Sequence, residues 1–380
     1  MVAIDAIKGA ACLLIVAHHL SVYGPMSDHA VGLLPDAIGW LYDYGRWAVQ
    51  VFLVIGGYLA AASLAPDAHQ TRPLRKGAAG LIWRRYCRLA LPYSIAVVVS
   101  VMVAALVRPW FPHPSVPEAP SMVQAFAHAL FLQDIFGFKA LSAGLWYVAI
   151  DFQLYALSVL VFGTAAAAAR RWPRQTMLRG DGAMLVIGLV SLWVFNRNAG
   201  LDTTALYFVG TYALGMMAYW AVPKTPPRAP TGSRRSDRYW LAVLIVAGAT
   251  ALLIEFRGRV ALAWGVALAL VVMRQVFQAT APSANPARRK PWWQMLGCAG
   301  VQSLARVGVI SYTVFLIHFP VCLLVNAVVA HVWPTGAWAN LFGLVVALAV
   351  SLAAGSVLFR GVEGVSGLRS AHKRTAALPV

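Results

Sequence analysis

Charged side chains are scarce in this chain of 380 residues. They make up 12% of the sequence, about half the share in an average soluble domain, while hydrophobic residues make up 60% and the mean hydropathy is +0.69. This composition excludes an ordinary soluble domain. The apolar runs are continuous and about 20 residues long, whereas the strands of a membrane barrel alternate over about 10 residues. The sequence therefore predicts an all-α, polytopic membrane bundle.

Cysteine and the common cofactor motifs are also sparse or missing. The four cysteines lie in or beside apolar runs without CxxC spacing, which is typical of small core residues and argues against metal or disulfide use. The sequence contains no Walker A motif, no GxGxxG after a strand and no HExxH. We therefore expect no bound metal and no soluble nucleotide-binding domain.

Acidic residues are the rarest charged group, with 13 against 31 lysines and arginines and a net charge of +18. A basic excess can indicate nucleic-acid binding, but here it is concentrated in short loops between apolar runs. With the N-terminus inside, 24 basic residues fall on the inner side, six on the outer side, and Arg274 lies within a span. This asymmetry follows the positive-inside rule. It predicts both termini in the cytoplasm and no nucleic-acid partner.

The apolar runs predict about ten transmembrane helices, forming one transmembrane domain over residues 1–360 with a basic cytoplasmic tail over 361–380. The predicted spans are 4–23, 47–65, 86–107, 143–165, 183–197, 203–221, 239–255, 260–278, 306–331 and 338–359. The apolar segment Met122 to Phe136 is too short to cross a bilayer, so we expect a re-entrant or interfacial piece there.

Ionisable residues interrupt the first apolar run, Ile4 to Val22. Such groups within a span usually face a protein interior or a wet cavity and have a function. Lys8 and His19 are eleven positions apart, about three helical turns, and therefore share a face. Either His18 or His19 is suited to accept a proton near neutral pH. The alternative is a histidine that only bonds a neighbouring helix.

A second cluster, Arg85 and Arg88, stands three positions apart beside the third predicted span. Paired guanidinium groups on one helix face suit phosphate oxygens, which predicts a phosphate-binding site. Arginines that anchor a helix at the inner membrane surface would give the same pattern. The spacing alone leaves both interpretations open.

A carboxylate follows about two turns into the fourth span, at Asp151. An unpaired charge there is costly, so Asp151 needs a partner. Its predicted depth is compatible with that of His19, and a carboxylate–histidine pair would orient the base. A purely structural pair between helices is the alternative. Trp146, Tyr147 and Tyr155 surround it in sequence and are candidates for substrate binding.

The ninth span contains Tyr312 and, near its middle, His318. A lone histidine within a helix most often makes a packing hydrogen bond, but a role at the substrate is the alternative. In a reaction that develops a negatively charged oxygen, the possible hydrogen-bond donors to that oxyanion are Tyr147, Tyr155, Tyr312 and His318. The sequence does not choose among them.

Five stretches, in order along nearly the whole chain, resemble the membrane acyltransferase type 3 family. They are Asp5 to Gly9 with His19, Phe52 to Leu59 (similar to FFVxSGFL), Arg85 to Arg88 with Pro92 (RxxR…P), Leu145 to Tyr155 (WSLxxEExFY) and Ser311 to Pro320 (SYxxYLxHxP). Each match alone is weak, but five in this order are fairly specific.

The resemblance implies a bundle that takes an acyl group, commonly acetyl, from cytoplasmic acyl-CoA as co-substrate. The group passes to an acceptor hydroxyl, often on a saccharide, at or beyond the outer face of the bacterial inner membrane. The resemblance makes His19 the catalytic histidine and makes Arg85 and Arg88 contacts to the CoA phosphates or pantetheine arm. It places Lys8 and Asp151 at catalytic positions where the family has arginine and glutamate.

Three departures accompany the resemblance. Lys8 keeps a positive charge but lacks the bidentate fork of arginine. Gly56 stands in place of a serine, and Asp151 is one methylene shorter than glutamate. Two alternative functions remain at this point: acylation of a small molecule or glycolipid, and proton-coupled transport, which also uses buried histidines and carboxylates. The sequence gives no oligomeric state.

Overall fold

The computed structural model describes residues 2–66, 77–172, 179–222, 231–279 and 299–366. These ranges are predominantly helical and contain no β-strand. The α-helices are α1 (Val2–Val22), α2 (Pro25–Ala30), α3 (Pro35–Tyr44), α4 (Val49–Leu64), α5 (Ala78–Val107), α6 (Met122–Ala129), α7 (Leu145–Arg171), α8 (Gly180–Trp193), α9 (Ala205–Trp220), α10 (Thr231–Ile254), α11 (Gly258–Ala279), α12 (Ala299–Val332) and α13 (Ala337–Ser366).

Eight helical stretches in the described ranges are long and apolar enough to cross a membrane. One of them joins α3, a short 3₁₀ turn and α4 into the stretch Pro35–Leu64. All ten predicted spans coincide with helices, but α8 and α9 have only 14 and 16 residues. The prediction of an all-α polytopic membrane bundle is confirmed, with eight candidate spans among the described residues.

The boundaries of the third span differ from the prediction. The helix α5 begins at Ala78, eight residues before the predicted start at 86. Arg84, Arg85 and Arg88 therefore lie within a helix that spans 30 residues, rather than at its edge. The predicted tail, 361–380, begins within α13, and its last 14 residues lie outside the described residues.

The chain forms two compact units. Unit 1 comprises Met1–Ala48, Cys87–Trp146 and Ala299–Val380, and unit 2 comprises Val49–Tyr86 and Tyr147–Cys298. In unit 1, α1 packs along α12, and α12 also packs on α13. In unit 2, α9 is the central helix and contacts α4, α8, α10 and α11.

Two glycines let the backbones of α1 and α12 touch. A Cβ atom at Gly9 would overlap the carbonyl oxygen of Leu304, and one at Gly308 would overlap that of Asp5. Small residues at a helix crossing are the usual device for close approach within a membrane. The pair Gly9 and Gly308 therefore fixes the register of α1 against α12 near the start of α1.

The other end of α1 is fixed by Asn326 of α12. Its Oδ1 accepts from the backbone N–H of Met26 at 3.2 Å, and its Nδ2 donates to the carbonyl oxygens of Tyr23 and Cys322, both at 3.0 Å. Gly24, between Tyr23 and Met26, has φ +106°, a conformation that glycine adopts at little cost. The histidines of α1 thus lie between two fixed ends.

The segment after α5 enters the bundle of unit 1. The side chain of Ser121 caps the eight-residue α6 by accepting from the backbone N–H of Gln124. Phe131, which is fully buried, packs edge-on against Tyr93, their ring centroids 4.7 Å apart. Because Tyr93 lies at the middle of the 30-residue α5, this segment reaches the depth of the middle of a spanning helix. That depth supports the re-entrant interpretation.

We predict that Gly9→Ala destabilises the protein, because the new methyl group forces the backbones of α1 and α12 apart at a contact that cannot yield without displacing a helix. The expected loss is on the order of 1–3 kcal/mol, as for other overpacked sites. The matched control is Gly265→Ala in α11, where nothing lies within 4 Å of the added Cβ. Thermal unfolding in detergent should separate the two variants, and equal melting temperatures would contradict the close crossing.

Candidate functional site

The conspicuous polar contact in unit 1 joins His19 of α1 to His318 of α12. Nδ1 of His19 lies 2.6 Å from Nε2 of His318. The two rings are 7° from parallel with centroids 4.8 Å apart, so they meet edge to edge in nearly one plane. This geometry directs a ring N–H at a lone pair. Both side chains are buried, His318 completely.

The second nitrogen of His318 determines where the protons lie. Its Nδ1 is 2.7 Å from the carbonyl oxygen of Phe315, which can only accept, so Nδ1 carries the hydrogen. In the neutral ring Nε2 is then an acceptor, and His19 must donate to it from Nδ1. Neutral His19 therefore keeps its lone pair on Nε2, which makes no hydrogen bond to a described residue. This is the tautomer that a general base requires.

The neighbouring histidine has a different environment. His18 donates from Nδ1 to the carbonyl oxygen of Leu41 in α3 at 2.8 Å, and the backbone of Tyr42 also contacts its ring. Gly45 lies against its Cβ atom. His18 thus donates to a backbone carbonyl, whereas His19 donates to another imidazole. In both neutral rings Nδ1 carries the hydrogen and Nε2 keeps its lone pair, so the choice of His19 as the base stays a prediction.

Two further residues lie near the histidine pair and were not selected from the sequence. The ring of Tyr23 is 5.5 Å from that of His19 and packs edge-on against Phe319. Arg46, in the 3₁₀ turn before α4, interacts electrostatically with His18 and His19. A basic residue beside a predicted span was visible in the sequence, but nothing there indicated its proximity to α1.

Lys8 lies at the other end of α1. It forms an ion pair with Asp5, at 3.3 Å, and about a quarter of its side chain is exposed. Eleven residues of helix separate it from His19, which corresponds to about 16 Å along the axis. The two residues do not meet, so they cannot act on the same atom. A catalytic role for Lys8 stays a prediction.

In unit 2 the structure brings together two residues that the sequence suggested for different roles. Nη2 of Arg85 lies 2.5 Å from Oδ2 of Asp151. The side chain of Asp151 is 9% exposed and that of Arg85 29%. Each charge supplies the partner that the other needs within a spanning segment. The predicted partner of Asp151 was His19, and the structure gives it Arg85.

Several aromatic residues surround this ion pair. The guanidinium of Arg85 lies 5.1 Å from the centroid of the Tyr155 ring, and Tyr147 and Tyr212 interact with it electrostatically. Nε of Arg85 is buried and makes no hydrogen bond to a described residue. Four residues predicted for the site, namely Arg85, Tyr147, Asp151 and Tyr155, thus converge. Tyr212 was missed.

Tyr212 and Gly56 close one side of the ion pair. A Cβ atom at Gly56 would lie 3.0 Å from Cε2 of Tyr212 and 3.1 Å from Oδ1 of Asp151. A serine in that position would carry its hydroxyl close to the carboxylate. Gly56 therefore leaves Oδ1 of Asp151 without the serine hydroxyl that the similar pattern FFVxSGFL has at this position.

The remaining predicted residues occupy other positions. Tyr312 donates its hydroxyl to the carbonyl oxygen of Leu89 at 3.0 Å, which ties α12 to α5 one turn from Pro92. Arg88 is exposed on α5, and Trp146 lies in the first turn of α7. In the described contacts, the hydroxyl of Tyr312 and Nδ1 of His318 already have acceptors. Because these two donors already make hydrogen bonds, Tyr312 and His318 are less suited to stabilise an oxyanion.

Polar atoms without a described hydrogen-bond partner lie in the segment after α5 and beside it on α5 itself. The hydroxyl of Tyr93 and Oε1 of Gln133 are buried and make no hydrogen bond to a described residue. Asp134, which lies outside the spanning helices, accepts from Nε2 of Gln133 at 2.9 Å and interacts electrostatically with Tyr93. Burial raises the pKa of Asp134 to about 6, against the opposing effect of the Gln133 hydrogen bond. Buried groups of this kind usually bind something, whether a ligand or water.

A sequence model described as an acyltransferase domain, that of the acyltransferase 3 family, matches residues 1–359 of the chain. The chain belongs to this family. No curated protein and no solved structure matches it. The match covers every element that carries the two clusters, so this is a multi-pass membrane acyltransferase. Among the described residues of this acyltransferase, no three His, Cys, Asp or Glu side chains are grouped so that they could hold a metal ion.

We predict that the two charges of unit 2 depend on each other. Asp151→Asn or Arg85→Gln alone should cost about 3–5 kcal/mol, because each leaves an uncompensated charge within a span. The double variant Arg85→Gln/Asp151→Asn should cost less than the sum of the two. The measurement is the free energy of unfolding in mixed micelles, with the exposed neighbour Arg84→Gln as the control. Strictly additive losses would show that the ion pair has no energetic role.

Proposed function

We propose that the protein is an O-acyltransferase that moves an acyl group, acetyl in the simplest case, from cytoplasmic acyl-CoA to a hydroxyl of a cell-envelope saccharide. The reaction is placed at the outer side of the bacterial inner membrane. His19 is the general base. The observation that carries this proposal is the His19–His318 hydrogen bond, which presents Nε2 of His19 as an acceptor.

The proposed chemistry follows from that nitrogen. Nε2 of His19 takes the proton of the acceptor hydroxyl as the hydroxyl oxygen attacks the thioester carbonyl carbon. The tetrahedral intermediate then collapses, the carbon–sulfur bond breaks, and the His19 imidazolium returns the proton to the CoA thiolate. The donated Nδ1–H of His19 strengthens its bond to His318 while the ring is charged. Arg46, which interacts electrostatically with His19, is proposed to stabilise the developing oxyanion.

Support for a nucleotide-bearing donor comes from the basic residues of the chain. Most lie in loops predicted to face the cytoplasm, where an acyl-CoA would be found. In unit 2, the buried Nε of Arg85 makes no hydrogen bond to a described residue and would be satisfied by an oxygen of the donor. Arg88, exposed on the same helix, is proposed to contact the donor as well.

Support for a hydroxyl acceptor comes from the segment after α5 and from Tyr93, against which it packs. The Tyr93 hydroxyl and Oε1 of Gln133 offer one group that can donate and one that can only accept. A sugar hydroxyl both donates and accepts, so it would satisfy either atom. Asp134 adds a carboxylate that suits several hydroxyl groups.

The test is transfer of radiolabel from [¹⁴C]acetyl-CoA to the envelope fraction, with wild type and His19→Gln at equal membrane expression. Loss of the base should lower the transfer rate by about 10²- to 10⁴-fold. His18→Gln is the matched control and should retain most of the activity, because the family resemblance places the catalytic histidine at position 19. Equal label with wild type and His19→Gln would exclude His19 as the base. A wild type that binds no CoA would exclude the donor.

We also predict a positioning role for His318. His318→Phe keeps an aromatic ring but removes the acceptor for the Nδ1–H of His19, so the base loses its fixed tautomer and orientation. The turnover number should fall on the order of 10²-fold, while the KM for acetyl-CoA stays within about twofold. Steady-state kinetics of the purified protein measure both constants. A rise in KM with unchanged turnover would instead make His318 a substrate-binding residue.

A further inference from the structure

Arg274 of α11 is a cation within a candidate span, Gly258–Val276, and it has no carboxylate partner among the described residues. Its Nη1 lies 3.3 Å from the hydroxyl of Tyr58 and 3.5 Å from the carbonyl oxygen of Tyr219. Both hydrogen bonds are long, and both use the same nitrogen. The donors on Nε and Nη2 make no hydrogen bond to a described residue.

Aromatic rings hold the guanidinium in place. It lies 4.7 Å from the centroid of the Tyr219 ring, and the rings of Tyr58 and Tyr219 meet edge-on with centroids 5.2 Å apart. A cation over an aromatic face keeps its full charge, whereas an ion pair cancels it. Its described neighbours therefore orient Arg274 without neutralising it.

This arrangement differs from that of Arg85 in the same unit. The charge of Arg85 is compensated by Asp151, so Arg85 suits a polar but neutral group, such as an amide or thioester carbonyl. Tyr219, beside Arg274, lies seven residues along α9 from Tyr212, beside Arg85, or about 10 Å along the helix axis. In the described part of unit 2, an arginine paired with a carboxylate and an arginine without one thus lie beside tyrosines that are two helical turns apart on α9.

We propose that Arg274 binds a phosphate group of the acyl donor, while the Arg85–Asp151 pair contacts its neutral pantetheine arm. This assignment rests on the proposed function in one respect, the identity of the donor as an acyl-CoA. An anion in contact with Arg274 supplies the counter-charge that a guanidinium within a span needs. The planar fork of unused N–H donors matches phosphate oxygens. Arg274 was visible in the sequence only as an isolated charge within an apolar run.

The test is equilibrium binding of CoA and of pantetheine, which lacks the phosphates, to the full-length protein in detergent. Arg274→Gln should weaken CoA binding by about tenfold or more and leave pantetheine binding unchanged. Arg274→Lys, a second variant that keeps the charge, should lose less affinity for CoA. Arg259→Gln, which removes the same charge from the first turn of α11, is the matched control and should bind CoA as wild type does.

Equal CoA affinity in wild type and Arg274→Gln would overturn the proposal, and so would an equal loss for CoA and pantetheine.

A lipid phosphate is the other source of the same chemistry. If Arg274 binds a lipid phosphate instead, phosphatidylglycerol in phosphatidylcholine nanodiscs should stabilise wild type but not Arg274→Gln, and the substitution should leave CoA affinity unchanged. That result would overturn the assignment of Arg274 to the acyl donor. If wild type binds no CoA, the proposed donor fails. A titration with inorganic pyrophosphate then decides Arg274 separately, because binding that Arg274→Gln does not weaken would remove the anion site.

Discussion

The hydrogen bond from His19 to His318 determines which nitrogen of His19 is available for chemistry, and the packing of unit 1 serves to hold it. A ring nitrogen can be aimed at another only if the helices that carry both rings keep a fixed register. The close crossing at Gly9 and Gly308 and the hydrogen bonds of Asn326 to Tyr23 and Met26 provide that register from the two ends of α1. The chemistry of the site thus depends on contacts about three turns before His19 and about one turn after it along the chain.

Within a membrane, the partners of each charged side chain indicate its role. A charged group there must find a counter-charge, a polar partner or a ligand, because lipid offers none. Arg85 and Asp151 satisfy each other, which explains how a carboxylate can lie deep in α7. Arg274 is held by aromatic rings and two long hydrogen bonds. This difference is why we assign a neutral group to the Arg85–Asp151 pair and an anion to Arg274.

The sequence predicted the helices well because apolar runs about 20 residues long leave few alternatives. It selected His19 and Asp151 from their cost in such runs and Arg85 from its spacing to Arg88. It could not pair them. His19 and His318 are 299 positions apart, a separation that carries no periodicity, and Asp151 was assigned to His19 by depth alone. Arg274 was noted as a charge within a span, but its contacts are with tyrosines from two other helices, α4 and α9. Pairing is a tertiary property, which composition and spacing do not encode.

The most direct measurement of the central claim is ¹⁵N NMR of the histidine side chains in the full-length protein, with His19→Gln used to assign the His19 signals. We expect that neutral His19 carries its proton on Nδ1 and has an unprotonated Nε2, and that His318 is also protonated on Nδ1. A His19 that carries its proton on Nε2 would contradict its role as the base, because that nitrogen would then have no lone pair with which to accept the proton of a hydroxyl group.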